Sequence, residues 1–312
     1  MDIALIFPGQ GSQKPGMAQD LAARFPAAAD VMARADAALG FPLSALCYGG
    51  PADALVATEV AQPALLAHGA AAWAVLADAL RPHVRAAAGH SLGEFTAHHA
   101  AGTLGLEAAV RLVRTRGEAM RDCGLARPGA MAAILGDTDQ PIEAICEAAT
   151  REAGTVVPAN FNSPGQVVIS GEIAGVERAM ALCKAAGAKR AVPLPVSGAF
   201  HSPLMAPART ALEGALRASA MRDPSVPVYA NVTAAPVRTA DEARALLGEQ
   251  LTGAVRWTEL VRRIAADHPG VIFIECGPGT VLQGLVRKIV PGAEVWPAGT
   301  AADVETILSK VA

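Results

Sequence analysis

The sequence is poor in several things, and each shortage removes a class of protein. Aromatic residues are 4% and charged residues 18% of 312, while 52% are apolar, so a large core is affordable and a disordered chain is not expected. Basic and acidic residues nearly balance, 26 against 29, for a net charge of -3, which leaves no electrostatic footprint for nucleic acid. The five cysteines, Cys47, Cys123, Cys146, Cys183 and Cys276, are odd in number and scattered, with no C-x-x-C or His-paired spacing. They read as reduced core thiols of a cytoplasmic protein, not as a disulfide framework or a metal site. No basic segment precedes the first apolar run, so no signal peptide is expected. The longest apolar stretch, Ala64 to Ala77, is interrupted by His68 and falls short of the about 20 residues that a bilayer requires. The loop Phe7-Pro8-Gly9-Gln10-Gly11-Ser12-Gln13 has G-x-G without the third glycine or the distant acidic residue of a dinucleotide site. Neither metal nor tightly held cofactor is expected, no internal repeat is visible, and a monomer is the default.

What is present is organised around Gly89-His90-Ser91-Leu92-Gly93. This G-x-S-x-G follows an apolar run, Val84 to Ala88, and opens a helix-like run to Ala101, so the serine falls on a sharp strand-to-helix turn. Glycines two residues either side leave room for the backbone to fold that tightly. The helix that starts after Ser91 aims unpaired N–H groups and partial positive charge at any oxyanion formed beside it, as acyl chemistry requires.

Along the chain, short apolar strands alternate with helices, the pattern of an open, mostly parallel α/β sheet. Strands are expected at Asp2 to Phe7, Val84 to Ala88, Val226 to Val232 and Val271 to Ile274. Helices are expected at Met17 to Leu39 with a break at Pro26, at Gln62 to Leu80 starting on Gln62-Pro63, and at Pro203 to Ala220, Glu242 to Gln250, Trp257 to Ala266 and Val281 to Ile289. Between Pro128 and Val196 the order becomes β-α-β-β-α-β, with strands at 130–135, 156–161, 166–170 and 190–196 and helices at 141–153 and 173–186. That is a ferredoxin-like unit bounded by Arg127-Pro128-Gly129 and Pro195-Val196-Ser197-Gly198. The expected division is therefore a large catalytic domain of residues 1–127 and 198–312 and an inserted subdomain of 128–197.

In the amphipathic helix that begins at Leu106, most charges gather on one side, but Arg116 projects between Leu112 and Ala109 on the inward side. A buried guanidinium is costly unless an anion meets it, whether a protein carboxylate or a ligand. Of seven histidines, His201, in Ser197-Gly198-Ala199-Phe200-His201-Ser202-Pro203, lies in a loop free to face the elbow as its base. His90 points elsewhere if Ser91 occupies the tip. His98 and His99 lack the H-E-x-x-H pattern of zinc sites, and His68, His83 and His268 carry no signal.

These stretches, with Asn160 to Gly171, Gln250-Leu251-Thr252 and Gly277-Pro278-Gly279, resemble in order and spacing the malonyl-CoA:acyl carrier protein transacylases of type II fatty acid synthesis and the related acyltransferase domains of polyketide synthases. The resemblance runs from end to end and implies an α/β-hydrolase-like large domain carrying the ferredoxin-like insert. It implies Ser91 as nucleophile, His201 as general base, the backbone N–H groups of Gln10 and Leu92 as oxyanion hole, and Arg116 as the holder of the malonyl carboxylate. Gln250 would orient the histidine through its main-chain carbonyl, and Phe200 and Asn160 would contact the acyl substrate. The substrates implied are malonyl-CoA and the phosphopantetheine thiol of acyl carrier protein, with methylmalonyl the lesser choice and a trans-acting polyketide or malonate-decarboxylase role as alternatives. His98 and His99 depart from the family's aliphatic residues and are expected to face solvent or pack beside the acyl pocket. Lys189, Arg190, Arg287 and Lys288 are candidates to dock an acidic carrier.

Two other readings compete. A serine esterase or thioesterase shares G-x-S-x-G but needs an acid before its histidine, and Asp137, Asp139 and Glu172 all fall in the inserted unit; the His-Gly-Gly-type oxyanion loop is also missing. A non-catalytic docking module with a relic site would not be expected to keep Ser91, Arg116 and His201 together.

Overall fold

The computed structural model describes residues 1–196 and 198–311; Ser197, at the expected subdomain border, and Ala312 lie outside the described residues. Among the described residues ten strands form two sheets: β1 (Ile3–Phe7), β2 (Val84–Gly89), β3 (Ala130–Leu135), β4 (Val156–Ser163), β5 (Gln166–Gly171), β6 (Arg190–Pro193), β7 (Val228–Tyr229), β8 (Pro236–Val237), β9 (Ile272–Glu275) and β10 (Val295–Pro297). The larger sheet has the order β10-β9-β1-β2-β7-β8, parallel throughout except for β8. The smaller is antiparallel, β4-β5-β3-β6, with helices Ile142–Ala153 and Ile173–Ala185 in its connections. The chain is thus an α/β fold with a mostly parallel and an antiparallel sheet.

Strand β1 reads Ile-Ala-Leu-Ile-Phe because it is buried on both faces. Ile3, Leu5 and Phe7 enter one apolar cluster, and Ala4 and Ile6 enter another on the opposite face. Beside it, β2 carries three successive alanines, of which Ala87 joins the first cluster while Ala86 and Ala88 join the second. The central position of these two strands brings the loops after Phe7 and after Gly89 together at the carboxyl edge of the sheet, where ligands bind in such folds.

Several boundaries differ from the sequence reading. The helix expected from Gln62 begins a turn earlier and spans Thr58–Leu80, with Pro63 inside it. Pro63 lies past the unpaired N–H groups of the helix start and withholds a bond from the Glu59 carbonyl, which accepts from Arg114 Nη1 at 2.9 Å instead. At 23 residues this helix is long and apolar enough to cross a bilayer, but 83% of its most apolar window is buried inside the fold. The strand expected at Val226 to Val232 shrinks to Val228–Tyr229, since Pro227 lies next to its start and Asn231 leaves the ladder to bond elsewhere. The strand from Arg190 ends at Pro193, not Val196, and Pro203 opens a 3-10 turn before the helix Ala206–Ala218. A helix at Leu43–Gly49, the short strands β8 and β10, and the helix Ala301–Val311 had no sequence expectation.

Candidate active site

The elbow is built by close backbone approach. A Cβ on Gly89 would sit 1.9 Å from the carbonyl carbon of Gly93, and one on Gly93 would sit 2.1 Å from the carbonyl oxygen of Phe7. Between them Ser91 adopts φ 52°, a left-handed conformation that costs an L-residue roughly 1–3 kcal/mol. Asn231 splints the turn: its Oδ1 accepts from the Ser91 backbone N–H at 2.7 Å, and its Nδ2 donates to the Gly89 carbonyl at 2.7 Å. The helix Gly93–Ala100 follows at once.

His201 is also left-handed, at φ 57°, and its Nε2 is 2.7 Å from Ser91 Oγ. Its Nδ1 faces the carbonyls of Gln250 at 2.9 Å and Gly253 at 3.2 Å. Both are acceptors only, so Nδ1 carries the proton and Nε2 offers its lone pair to the serine hydroxyl. Burial, and then the charge of Arg116, lower the imidazole to about 3. The ring is therefore neutral across the physiological range, as a base must be before it accepts a proton.

Arg116 is buried, as its place on the inward side of the helix Leu106–Ala126 predicts. Its Nη1 donates to Gln62 Oε1 at 2.7 Å, and its Nη2 donates to Ser91 Oγ and to Gln250 Oε1, both at 3.0 Å. The guanidinium lies 5.7 Å from the Phe95 ring centroid, and its Nε finds no acceptor among the described residues. Burial lowers it to about 10 against the opposing field of Glu94, so it stays charged. The backbone N–H groups of Gln10 and Leu92 donate to no backbone or side-chain acceptor among the described residues. Gln10, in the loop after β1, and Leu92, at the helix start, line the same cavity as Ser91.

A cavity of 410 Å³ opens onto this group, and Gln10, Ser91, Arg116, Asn160, Phe200 and His201 line it. Leu92 lines it too, while Gln250 sits behind, buried. Asn160 arrives through an irregularity in β4, where the pairing with β5 shifts between Pro158 and Asn160 and the next N–H bonds across to Val255. All eight residues singled out in the sequence are thus brought to one place.

The polar residues that hold them were not found in the sequence. Besides Asn231, these are Gln62 and the fully buried Glu94, whose Oε2 accepts from Gln250 Nε2 at 2.6 Å. A signal for Glu94 existed, since it is the one acidic residue in the run Leu92 to Ala101, as conspicuous there as Arg116 is in its helix. His90 turns away from the serine, its Nε2 2.8 Å from Asn162 Oδ1 and its ring 5.6 Å from Trp257. His98 is buried and His99 only partly exposed, and neither lines the cavity. His98 is fully buried with Nδ1 3.3 Å from Thr103 Oγ1 and is lowered by burial to about 3, and His99 Nδ1 donates to the Leu104 carbonyl at 3.1 Å. The chain turns back after Ala101, and the two rings close that turn. His68 is a core residue, 2.9 Å from the Gly299 carbonyl.

An elbow serine bonded to a neutral imidazole, with free N–H groups beside it, defines a serine acyl-transfer site on an α/β scaffold. Residues 4–304 match the acyl transferase domain family. The chain belongs to that family. It is 46% identical over 287 residues to the malonyl CoA-acyl carrier protein transacylase of Escherichia coli K12, covering 92% of each chain. Its structure is similar to the acyl-carrier-protein S-malonyltransferase of Bartonella henselae, with a TM-score of 0.94 and 42% identity over 100% of this chain and 99% of that one. It is nearly as similar, with a TM-score of 0.93 and 41% identity over 99% of this chain and 100% of that one, to a malonyl-transacylase solved in complex with a type II polyketide acyl-carrier protein.

Proposed function

We propose that the protein transfers a malonyl group from malonyl-CoA to the phosphopantetheine thiol of an acyl carrier protein, through an ester on Ser91. The observation that carries this reading is Arg116, a buried guanidinium that lines the same cavity as Ser91 and donates to its Oγ at 3.0 Å. A hydrolase of simple esters has no use for such a charge, whereas a malonyl thioester ends in a carboxylate that a planar guanidinium reads well.

In the first half-reaction Ser91 Oγ attacks the thioester carbonyl and its proton passes to His201 Nε2. The oxyanion forms against the N–H groups of Gln10 and Leu92; losing one such donor costs about a hundredfold in rate. The intermediate collapses, the C–S bond breaks, and the proton on His201 leaves with CoA. In the second half the carrier's thiol gives its proton to His201 and attacks the ester, and Ser91 takes the proton back. Arg116 acts on this sequence twice. Its charge opposes an imidazolium at His201, so a substrate carboxylate that neutralises it also makes the histidine a stronger base.

We further propose that the molecule divides into a hydrolase-like domain of residues 1–127 and 198–312 and a ferredoxin-like subdomain of 128–197. The order β4-β5-β3-β6, with two helices in the connections, supports the second assignment. Lys189, Arg190, Arg287 and Lys288 are exposed and available to an acidic carrier. Five free, buried cysteines suit a reducing cytoplasm. Carriers of polyketide as well as of fatty acid synthesis are within reach of this reading, because a structural relative holds one of the former.

Malonyl-CoA added to the protein should give a covalent malonyl adduct by intact mass spectrometry, absent from Ser91→Ala. Added carrier protein should then take up the malonyl group. Adduct formation in Ser91→Ala would remove the serine from the mechanism, and CoA release with no malonyl-carrier product would make the protein a thioesterase.

A further inference from the structure

Glu94 is fully buried in the first turn of the helix Gly93–Ala100, and the reaction as described does not use it. An acidic residue at a helix start is ordinarily explained by the helix dipole. Here the carboxylate bonds outside its own helix: Oε2 accepts from Gln250 Nε2 at 2.6 Å and from the Asn231 backbone N–H at 3.1 Å, while Oε1 meets no donor among the described residues.

The Gln250 amide is the link. Its Nε2 donates both to Glu94 and to the Ser91 carbonyl at 2.9 Å, so its Oε1 is turned to Arg116 Nη2 at 3.0 Å. Turning the amide over would face oxygen to two acceptors and N–H to a cation. Glu94 therefore fixes the acceptor that holds the arginine beside the serine.

The charges give the arrangement a second consequence. Arg116 and an ionised Glu94, both buried, form a neutral pair. A malonyl carboxylate would make two anions around one cation, and the excess is relieved if Glu94 takes a proton from solvent on the bare Oε1. An acetyl group brings no such charge.

We infer that Glu94 is a positioning residue and the internal counter-charge of Arg116, wired to it through Gln250, and that malonyl loading of Ser91 is coupled to proton uptake by Glu94. The inference rests on the malonyl-transfer reading. Burial raises the Glu94 carboxyl to about 7, against the bonds from Gln250 and Asn231 and the field of Arg116. Of the other groups facing this site, Gln62, Gln250 and Asn231 are neutral at any pH, and burial lowers both His90 and His201. Below about 7 the protonated Glu94 leaves Arg116 free for a carboxylated acyl group; above it the ionised Glu94 competes with that group.

The test compares loading of Ser91 by malonyl-CoA and acetyl-CoA, read as kcat/KM from acyl-enzyme formation by intact mass, at pH 6, 7 and 8. In the wild type the malonyl-to-acetyl ratio should fall by about three- to tenfold from pH 6 to 8, the span allowed to one titrating proton. In Glu94→Gln, which keeps an acceptor for Gln250 but has no charge, the ratio should vary by less than about twofold. A flat wild-type ratio would overturn the inference without any variant, and so would a Glu94→Gln profile as steep as the wild type. Absence of any malonyl adduct at all three values would instead overturn the malonyl-transfer reading itself.

Discussion

Replacing Arg116 separates carboxylate recognition from serine chemistry. In the free protein the guanidinium makes three hydrogen bonds, to Gln62, Ser91 and Gln250, and it is 1% exposed, so a malonyl carboxylate would meet it out of water. Truncating one partner of a buried charge pair costs about 2–5 kcal/mol. At 1.4 kcal/mol per decade, Arg116→Ala should lower kcat/KM for malonyl-CoA by roughly 30- to 4,000-fold. For acetyl-CoA two effects oppose each other. Ser91 Oγ loses a donor, which slows the reaction, while His201 is relieved of the positive charge that holds its basicity down. Acetyl loading should therefore change by no more than about tenfold, and the malonyl preference should collapse. The variant also strands Oε1 of both Gln62 and Gln250, so Arg116→Lys is the needed companion. It keeps the charge without the fork, and should retain part of the malonyl preference while melting closer to the wild type. Both are assayed by acyl-enzyme formation with each thioester, alongside thermal denaturation. Undiminished malonyl preference in Arg116→Ala would place carboxylate recognition elsewhere. An equal loss for the two substrates would mean that Arg116 serves the serine alone.

Other consequences can be checked separately. Gly93→Ala drives a Cβ to 2.1 Å from the Phe7 carbonyl oxygen, so the protein should lose about 3 kcal/mol or more, or fail to accumulate folded, as measured by urea denaturation; an unchanged midpoint would refute the close-approach account of the elbow. Asn231→Ala removes both bonds that splint Ser91 and should lower kcat by about 10- to 100-fold with little change in KM, as expected for a group that aligns the nucleophile. His98→Leu concerns pH. The folded imidazole is lowered to about 3, so as pH falls below the ordinary 6.5 the unfolded chain gains a proton that the folded one refuses, and stability drains away. The leucine variant should thus gain on the wild type by about 1.4 kcal/mol per pH unit between pH 6 and 4, and parallel stability curves would show that His98 is not buried neutral.

The parts of the site carried by local pattern were readable in the sequence. Gly89-His90-Ser91-Leu92-Gly93 dictates its own turn, and Arg116 betrays itself by breaking the charge sorting of its helix. The loop of His201 was marked by breakers and a following proline. What escaped were contacts set by tertiary folding: Asn231 reaches Ser91 across 140 positions and Gln250 reaches Glu94 across 156, and no spacing rule spans such distances. Boundaries failed where a tertiary partner outweighed local preference. Pro63 was read as a helix start although packing carries that helix back to Thr58, and the strand near Val228 stops early because Asn231 is drawn to the elbow. His98 and His99, expected to face solvent or pack beside the acyl pocket, instead bond to Thr103 and Leu104 in a turn that folds back on the helix, which buries His98 and partly covers His99.

The cavity has two kinds of wall. Gln10, Ser91, Leu92 and Arg116 come from the mostly parallel sheet and its helices, whereas Met131 lies on a strand of the antiparallel sheet and Leu194, Pro195 and Val196 on the segment that leaves it. The groups placed for reaction and part of the apolar wall facing them therefore belong to different sheets. Mutation can widen or narrow the second without disturbing the first. A lineage could reshape that wall by drift in one stretch while Arg116 and the chemistry stayed fixed, and a graft of residues 128–196 between relatives should alter the fit of branched acyl chains while leaving the preference for a carboxylate in place.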